Sequence, residues 1–398
     1  MHSITVRHNH RLNPSPEQEA KLIEFASYHR GVWNLLLSET RRRHAYDGTF
    51  LFYREFAALL TELKKFEEFA WLKAFDSAAA QQVARDLDTA LQNAIDPTRK
   101  QRFPVHKVSY RKKKLHNDSY RAVNNQDCIR IRDNTISLPK IGQVPIVHHR
   151  RLTSRITTAT VQYRQGHWEV SLPQERRCKP PKAELNRING YDINSEHTVV
   201  GSNGHAIKNP RSLRQNEEKL KQLQVQLSRR KQGSSGWQTT EDRLNRLHGI
   251  IARQRKDFAH QIAASIAKSS DLAVFETLSV KGMQQFNGRM VNDNVMGALP
   301  NLVKYKLVQE GGLFHRIGRF EKTTGICHAC RHAHTLTLKQ RSFTCEKCQT
   351  VQCRDWSAAV AIRRCGEKEL LAAGTVARVI PTAHQKSTGQ TKVLVRVL

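Results

Sequence analysis

The front of the chain changes from a strand pattern to a helical one. Residues 3–8 alternate between apolar and polar side chains with the period of two of a β-strand. Ser15-Pro16 then predicts a helix start, because Ser can cap the first turn, Pro fits its first position and Gln18 can reach back. From there apolar positions recur at helical spacing, and we predict a helical module over residues 15–96. The apolar positions that carry this pattern are Leu22, Phe25, Trp33, Leu36, Leu59, Leu63, Val83, Leu87 and Leu91.

Residues 127–174 return to short alternating runs. Asp133-Asn134 and Gln165-Gly166 supply turns between these runs. The pattern predicts a small antiparallel sheet or barrel, joined by the first strand of the chain. We therefore assign residues 1–14 and 97–180 to one β-barrel or sheet module, into which the helical module is inserted.

The second half alternates strands with helices, after a linker with the sequence CKPPKAELN. The predicted strands are INGYDIN, DLAVFE and GLFHRIGRF, and Asn203-Gly204 marks a hairpin turn. Helices are predicted over 212–230 and 240–268, around the loop KQGSSGW. This alternation predicts an α/β domain over 183–370. Residues 371–398 lack a clear pattern, and we expect a loose tail there.

The charge of the chain narrows the classes of partner. Its 398 residues include 66 Lys or Arg and 35 Asp or Glu, a formal net charge of +31. Such an excess repels itself unless something anionic binds, so nucleic acid is the expected partner and a solvated basic surface is the alternative. The sequence has no apolar run of about 18 residues, and its start lacks the apolar core of a signal peptide. We therefore expect no contact with a membrane and a cytoplasmic location.

One segment concentrates the positive charge. Residues 99–114 contain eight Lys or Arg and no acid, interleaved with Phe103 and Tyr110. A segment that contacts nucleic-acid phosphates is favoured over a solvated loop, because basic side chains neutralise the backbone while aromatic rings stack on bases. Its basic residues are Arg99, Lys100, Arg102, Lys107, Arg111, Lys112, Lys113 and Lys114.

Two CxxC pairs near the C-terminus have the spacing of a zinc ribbon. Cys327 and Cys330 are followed, after fourteen residues, by Cys345 and Cys348. Each CxxC turn presents two sulfurs to one ion, so four thiolates would bind one tetrahedral Zn²⁺ and leave no position for a substrate. We predict one structural zinc site, with redox chemistry as the alternative. Four thiolates suffice without the other candidate ligands nearby, which are Cys353, His328, His332 and His334.

Three acids lie at positions that an α/β fold brings to the C-terminal edge of its sheet, where ligands bind. Asp192 ends one predicted strand, Glu276 ends another, and Asp355 begins the Ala-rich run DWSAAVAIRR. Taken singly they fit a turn residue, an exposed strand end and a helix cap. Taken together, strand C-termini gather at one edge of a sheet, and a helix that begins there would add the third carboxylate. Clustered carboxylates repel unless cations offset them, and two Mg²⁺ ions about 4 Å apart would suit phosphodiester hydrolysis.

With these motifs in this order, the chain resembles the TnpB family of transposon-encoded RNA-guided DNA endonucleases, which are related to the type V CRISPR effectors. The motifs that carry the resemblance are GYDIN at Asp192, VFETLSVKGM at Glu276, CHAC with CEKC, and RDWSAAVAI at Asp355. The front half adds RGVWNLLL, WLKAFDSAAAQQVARDLDTA and RFP followed by YRKKK. The resemblance extends to about residue 370.

The resemblance implies a fold of the class α/β plus α+β. An RNase H-like (RuvC) nuclease domain would span 183–370, with the zinc ribbon inserted at 321–351. It would follow the wedge-like β-barrel or sheet module, whose inserted helices would form a recognition module. The resemblance also assigns the catalytic and Mg²⁺-binding positions to Asp192, Glu276 and Asp355, and the zinc positions to the four cysteines.

The recognition module and the small sheet would read a short DNA motif and grip a guide RNA. Gln and Asn side chains can pair with the edges of bases, and Ser with several base groups. Ser77 and Gln81 are equally well explained as polar positions on a helix. The residues that fall near family positions for contacts to this DNA motif are Tyr53, Ser77, Gln81, Asn124 and Asn125.

Three positions depart from the family pattern. Asn194 stands where the family often has Gly, Cys353 where Asp is frequent, and Ser357 where Asn is common. None removes an expected metal ligand, and each could alter activity. Ser357 matters most, because Ser cannot supply the side-chain amide of Asn.

We therefore expect an RNA-guided, Mg²⁺-dependent endonuclease that cuts double-stranded target DNA next to a short motif, inside a prokaryotic cell. One alternative is a nuclease-inactive RNA-guided repressor, against which the three retained acids argue. Another is a transposase that breaks and joins DNA, since the same acid triad serves that chemistry. These patterns do not specify the guide, the target, the flanking motif, the cut positions, the oligomeric state or the role in the host.

Overall fold

The computed structural model divides the chain into two compact units, Thr5–Arg176 and Met1–Ile4 with Arg177–Leu398. The ranges that it describes are 3–75, 77–96, 108–112, 119–182, 184–194, 196–280, 282–285, 288, 295–337, 340–374, 378–381 and 391–394. No helix of these ranges is both long enough and apolar enough to span a bilayer.

The first unit contains the predicted helices. The first helix begins as predicted: the Ser15 hydroxyl accepts from the Gln18 backbone N–H at 3.3 Å, and the Gln18 side chain accepts from the Ser15 N–H at 3.0 Å. It ends at Gly48, whose φ of 76° favours glycine. The elements are α1 (Pro16–Asp47), α2 (Tyr53–Leu63), a 3₁₀ helix (Glu67–Lys73) and α3 (Ser77–Ile95).

The buried faces of these helices form one core. The apolar spacing of the sequence accounts for it, because Leu36, Leu87 and Leu91 are fully buried on faces that meet. The 3₁₀ helix adds Leu72 to the same core, and Val108 joins it from outside the helices. Burial of this face, rather than helix propensity, stabilises the three helices.

Seven strands form the sheet of the first unit in the order β2-β6-β7-β1-β5-β4-β3. The predicted turns are present, with positive φ at Asn134 and Gly166. The barrel alternative is wrong: β2 and β3 are the two edges of an open sheet in the described residues, and β3 has too few residues to stagger into a closed barrel. The strands are β1 (Ser3–Leu12), β2 (Ser119–Val123), β3 (Ile131–Arg132), β4 (Thr135–Leu138), β5 (Gly142–Val147), β6 (Thr158–Arg164) and β7 (His167–Arg177).

The second unit is built on a mixed five-stranded sheet of order β11-β10-β9-β12-β13. Strand β12 is parallel to both β9 and β13, whereas β10 is antiparallel to β9. The predicted hairpin joins β10 to β11 through Gly204, which has a φ of 84°. The five strands are β9 (Ile188–Asp192), β10 (His197–Gly201), β11 (Ala206–Lys208), β12 (Leu272–Phe275) and β13 (Leu313–Arg316). The short strand β8 (Glu184–Leu185) precedes them and is not part of this sheet.

Helices surround this sheet. The long second helix begins earlier than predicted, because the Ser234 hydroxyl accepts from the Trp237 N–H at 3.2 Å and makes the end of KQGSSGW helical. The helices are α4 (Ser212–Gln215), α5 (Glu217–Ser228), α6 (Ser235–Ser269), α7 (Leu299–Gln309) and α8 (Arg354–Ala372).

The end of the chain differs from the expected loose tail. Two strands follow α8, β16 (Arg378–Pro381) and β17 (Thr391–Leu394), and β17 pairs with β8 in the linker. Both strands are rich in Val, Ile and Thr, which suit extended backbone. Each run is only four residues long, too short for a period to be recognised. Between β13 and α8 lie β14 (Ser342–Thr344) and β15 (Val351–Cys353), which pair within the cysteine-containing segment.

Candidate active site and zinc ribbon

Two of the predicted acids, Asp192 and Glu276, lie at the C-terminal ends of neighbouring parallel strands. Tyr191 and Phe275 are partners across β9 and β12, so Asp192 and Glu276 come next on the two strands. Because parallel strands end at the same edge of a sheet, the two carboxylates leave the sheet side by side.

The third acid arrives from α8, which crosses the sheet at very short range. A Cβ on Gly190 would lie 2.2 Å from the Ala359 carbonyl oxygen, and one on Gly366 would lie 2.5 Å from Val274 Cγ1. Only glycine at both places lets the helix backbone touch the strands. Asp355 is in the first turn of this helix and is 6% exposed. The sequence expectation that Asp355 begins a helix beside the sheet edge therefore agrees with the structure.

The carboxylates interact electrostatically. Burial and the charge of Asp355 raise the pKa of Asp192 to about 6, although the Asn194 amide donates to its Oδ2 at 3.1 Å and opposes the shift. Burial and the charge of Asp192 raise the pKa of Glu276 to about 7. The charge of Asp355 thus acts on Asp192, and the charge of Asp192 acts on Glu276.

Two arginines approach the same edge. Arg354 Nε lies 3.2 Å from Asp355 Oδ1, and Arg341 lies 3.7 Å from Asp355 Oδ2. Arg341 also pairs with Glu196 at 3.2 Å. These guanidinium groups offset part of the negative charge of the acids.

The chemistry of the acids indicates what they could hold. Asp192, Glu276 and Asp355 offer carboxylate oxygens, which are the hard ligands that divalent cations such as Mg²⁺ prefer. The mutual repulsion that contributes to the raised pKa values of Asp192 and Glu276 would be offset by such cations.

The four cysteines are arranged for one tetrahedral ion. The sulfurs of Cys327 and Cys348 are 3.6 Å apart, those of Cys330 and Cys345 are 3.4 Å apart, and all four lie within 4.8 Å of one another. Zinc–thiolate bonds of about 2.3 Å require sulfur separations of about 3.8 Å. The donor set and its spacing therefore fit one Zn²⁺, with no protein atom needed beyond the four thiolates.

Gln352 was not predicted from the sequence, and it joins the cysteines to α8. Its Nε2 donates to Cys327 Sγ at 3.1 Å, and its Oε1 accepts from the Ser357 hydroxyl and from the His328 N–H, both at 2.9 Å. Gln352 is 4% exposed and Ser357 is fully buried. Burial raises the pKa of Cys327, but the donors from Gln352 and the backbone outweigh it and bring the value to about 5. A polar residue at the centre of a short strand was the available signal.

The residues expected to read a DNA motif lie in the first unit. Ser77 and Gln81 are exposed one turn apart on α3, and Asn125 is exposed at the start of a 3₁₀ turn. Tyr53 begins α2, and its ring lies 4.9 Å from the Arg85 guanidinium. The Asn124 side chain already makes three hydrogen bonds, to Ile129 N, Ile129 O and Ile156 O, so it shapes its own loop.

Only part of the basic segment belongs to the described residues. The Arg111 guanidinium lies over the Trp33 ring at 3.8 Å, and Arg111 N donates to the Asn34 side chain at 2.7 Å. Lys112 is exposed. The basic residues that lie outside the described ranges are Arg99, Lys100, Arg102, Lys107, Lys113 and Lys114.

Family models match three stretches of the chain. A "Probable transposase" model of the OrfB IS605 type matches residues 158–287, and a "Cas12f1-like, TNB domain" model matches 297–362. A "Helix-turn-helix domain" model of the same OrfB type matches 1–49. In that stretch the described residues form β1 and the single helix α1.

Individual relatives cover more of the chain. "Putative RNA-guided DNA endonuclease InsQ" of Escherichia coli K12 is 29% identical over 275 residues, which are 69% of this chain and 66% of the relative. A "Putative RNA-guided DNA endonuclease" of Streptomyces pristinaespiralis is 28% identical over 99% of this chain and 96% of the relative. A protein chain from "Cryo-EM structure of the Cas12f1-sgRNA-target DNA complex" overlaps 90% of this chain and 99% of its own length, at 14% identity and a TM-score of 0.36.

A sheet edge with three acids, beside a four-cysteine ribbon in a strongly basic chain, is the arrangement of a protein that acts on nucleic acid. The matched models and the relatives make the assignment specific. The chain belongs to the TnpB family of transposon-encoded proteins.

Proposed function

We propose that the chain is an RNA-guided DNA endonuclease whose active site is formed by Asp192, Glu276 and Asp355. The observation that carries the proposal is the meeting of these carboxylates at one sheet edge, with the pKa values of Asp192 and Glu276 raised to about 6 and about 7. Perturbed acids that converge at an edge are typical of catalytic metal sites. The two relatives named as RNA-guided DNA endonucleases support the same function.

The chain would use its residues as follows. Asp192, Glu276 and Asp355 would together hold the Mg²⁺ ions, because the charge of Asp355 acts on Asp192 and the charge of Asp192 acts on Glu276. When bound, the ions would supply the charge that stabilises the attacking and leaving oxygens of the phosphodiester. Asn194 would hold Asp192 in place through its 3.1 Å hydrogen bond. Arg341 and Arg354 would keep Asp355 oriented.

Target choice would come from a guide RNA. A net charge of +31 suits a protein that binds RNA and DNA backbones together. Base pairing would select the sequence, while the first unit would contact a short DNA motif beside it. The recognition module over 15–96 and the sheet module would carry these contacts, and the domain over 183–370 would cut.

The test starts from the chain as purified with its RNA. That RNA is sequenced, and a supercoiled plasmid with the matching target and a library of flanking sequences is incubated with protein and Mg²⁺. We expect cleavage by the wild type and by Asp257→Asn, an exposed acid on α6, and none by Asp355→Asn. Equal melting temperatures would exclude misfolding of the variants.

Other outcomes would contradict the proposal. If the wild type and Asp355→Asn both leave every plasmid intact yet bind the target, the chain is a guided binding protein without nuclease activity. If joined DNA strands form in the absence of RNA, the transposase alternative is correct.

The zinc site is proposed to be structural. We expect zinc at the four cysteines to persist in Asp192→Asn and to be lost in Cys345→Ser, because all four sulfurs fit one closed tetrahedral site. Elemental analysis of both variants measures this. Equal loss of zinc in the two variants would show that the two sites are not separate.

A further inference from the structure

The ribbon contains a second group of metal-binding side chains, apart from the cysteines. His332 and His334 flank Ala333 in the extended segment after the first CxxC turn, and Ala333 forms a β-bridge to Ile326, which directly precedes that turn. Extended backbone places residues two apart on the same face, so the two imidazoles point the same way. Glu346 lies in the second CxxC turn, between Cys345 and Cys348. Both turns of the ribbon therefore contribute to the group.

The three side chains are close enough to share an ion. One imidazole nitrogen of each histidine and a carboxylate oxygen of Glu346 lie within 4.8 Å of one another. The imidazole rings are 4.9 Å apart at an interplanar angle of 76°, which leaves them unstacked. Ligands of a tetrahedral zinc with bonds of about 2.1 Å are about 3.4 Å apart, so closure needs a movement of at most about 1.4 Å. Glu346 is exposed and can make that movement.

A buried polar atom gives an independent reason to place a ligand here. His334 is only 8% exposed, and its Nε2 is buried without a hydrogen-bond partner. Most buried side-chain polar atoms are bonded, so an unpartnered one calls for an explanation such as an ion. Imidazole nitrogens of His8, His10, His148 and His197 are also buried without a partner, but none of these histidines belongs to a group of three potential ligands in the described residues. The simpler explanation is a core histidine that packs against Phe343, whose ring centroid is 5.1 Å away. That packing does not account for the neighbouring His332 and Glu346.

The charge beside the thiolates is compatible with a second cation. Four thiolates and one Zn²⁺ would sum to two negative charges, and Glu346 adds another next to Cys345. The basic residues of the ribbon oppose this effect, but those in the described residues are exposed and screened by solvent; they are Lys322, Arg331, Arg341 and Lys347. Two imidazoles and a carboxylate suit Zn²⁺ and similar transition ions, and three protein ligands leave the fourth position to water.

We propose that His332, His334 and Glu346 form a second metal site of the ribbon that takes Zn²⁺ or a similar divalent transition ion. The ion would join the segment after the first CxxC turn to the second CxxC turn, and so fasten the ribbon independently of the thiolates. The site does not depend on the proposed nuclease function, because it lies in the ribbon and shares no residue with the acids.

The test counts metal ions on the purified chain. Bound nucleic acid is removed by nuclease treatment and high salt, and excess Mg²⁺ is kept present to occupy the carboxylates at the sheet edge. Resident zinc is removed with a chelator that is then dialysed away, the metal-free protein is titrated with Co²⁺, and zinc is measured separately after equilibrium dialysis. Thiolate-bound Co²⁺ gives a charge-transfer absorption that imidazole and carboxylate ligands do not give, so the two sites are distinguished.

We expect two equivalents in the wild type, with the charge-transfer band complete after one of them. His332→Gln and Glu346→Gln should bind one equivalent with the band intact. His205→Gln, an exposed histidine of the β10–β11 hairpin, should bind two. The second equivalent should also raise the melting temperature of the wild type and not that of His332→Gln.

Three results would overturn the proposal. The first is a wild type that holds one equivalent when its thiolate band is complete. The second is two equivalents in both ribbon variants, which would place the second ion elsewhere. The third is loss of both equivalents in Glu346→Gln, which would make the two groups one site.

Discussion

Replacing Gln352 tests whether the zinc ribbon and α8 act as one structural unit. Gln352→Met keeps the length and most of the volume of the side chain but removes its amide. The Ser357 hydroxyl and the His328 N–H then lose an acceptor, and Cys327 Sγ loses a donor. Each buried group without a partner costs about 1–3 kcal/mol. The His328 N–H is only partly buried and can reach water, so we expect about 2–4 kcal/mol in total.

The assays follow the two ends of this connection. At the cysteine end, thermal melting and the rate of zinc transfer to a chelator should show a less stable ribbon that releases zinc faster. At the helix end, cleavage should slow by about tenfold to 100-fold, since displacement of a catalytic group by about 1 Å is enough for such a loss. Asp355 precedes Ser357 by two residues in the same helical turn.

A second variant separates the connection from general damage. Ser357→Ala removes the hydroxyl that donates to Gln352, at a cost of about 1 kcal/mol. If the two residues act together, the double variant should be less destabilised than the sum of the single variants by at least about 0.5 kcal/mol. The reasoning is refuted if Gln352→Met retains zinc and melts like the wild type, or if the two effects simply add.

Three further predictions concern buried residues that stabilise one or the other unit. Gly190→Ala should cost about 3 kcal/mol by melting and abolish cleavage, because its Cβ would lie 2.2 Å from the Ala359 oxygen and displace α8. Asp271 is buried, which raises its pKa, but hydrogen bonds from Arg187 and Lys182 outweigh this and lower it to about 2. The Asp271 carboxylate should therefore contribute about 2 kcal/mol to the free energy of unfolding above about pH 4, and this contribution should be lost as the pH falls towards 2. The difference in melting temperature between the wild type and Asp271→Asn should accordingly shrink between about pH 4 and pH 2. Burial lowers the pKa of His29 to about 4. Neutral His29 should therefore contribute about 3 kcal/mol to the free energy of unfolding above about pH 6.5, the pKa of histidine in the unfolded chain. This contribution should disappear as the pH falls from about 6.5 to about 4. In His29→Gln the melting temperature should depend less on pH over that range.

Features formed by residues close to one another in the sequence were predictable. The capping box of Ser15 and Gln18, the Gly204 turn and the two CxxC turns each involve residues within a few positions of one another. Asp192 and Glu276 could be predicted to meet because parallel strands impose a common edge, a rule that holds whatever lies between the strands.

Contacts between distant segments were not predictable in this way. The pairing of β17 with β8 joins residues about 200 positions apart, and nothing in either short run specifies the other. The open edges of the seven-stranded sheet depend on strand length and stagger, which alternation alone does not fix. Gln352 was missed for a related reason, since its importance comes from partners at Cys327 and Ser357 on two other turns.

The departures from the family pattern look different once these contacts are known. Ser357 cannot supply the amide that Asn would place there, but an amide is present beside it, from Gln352, and its two ends contact the Ser357 hydroxyl and Cys327. Cys353 is exposed at the N-terminal cap of α8 and lies outside the four-thiolate group, so it is not needed for zinc. Asn194 donates directly to Asp192. The three departures therefore leave the acids and the cysteines in place, and two of them make contacts to the side chains that position these groups. Because Asp355 is held by the glycine contacts of α8 on one side and by the ribbon on the other, loss of either support should affect cleavage even when all three acids are retained.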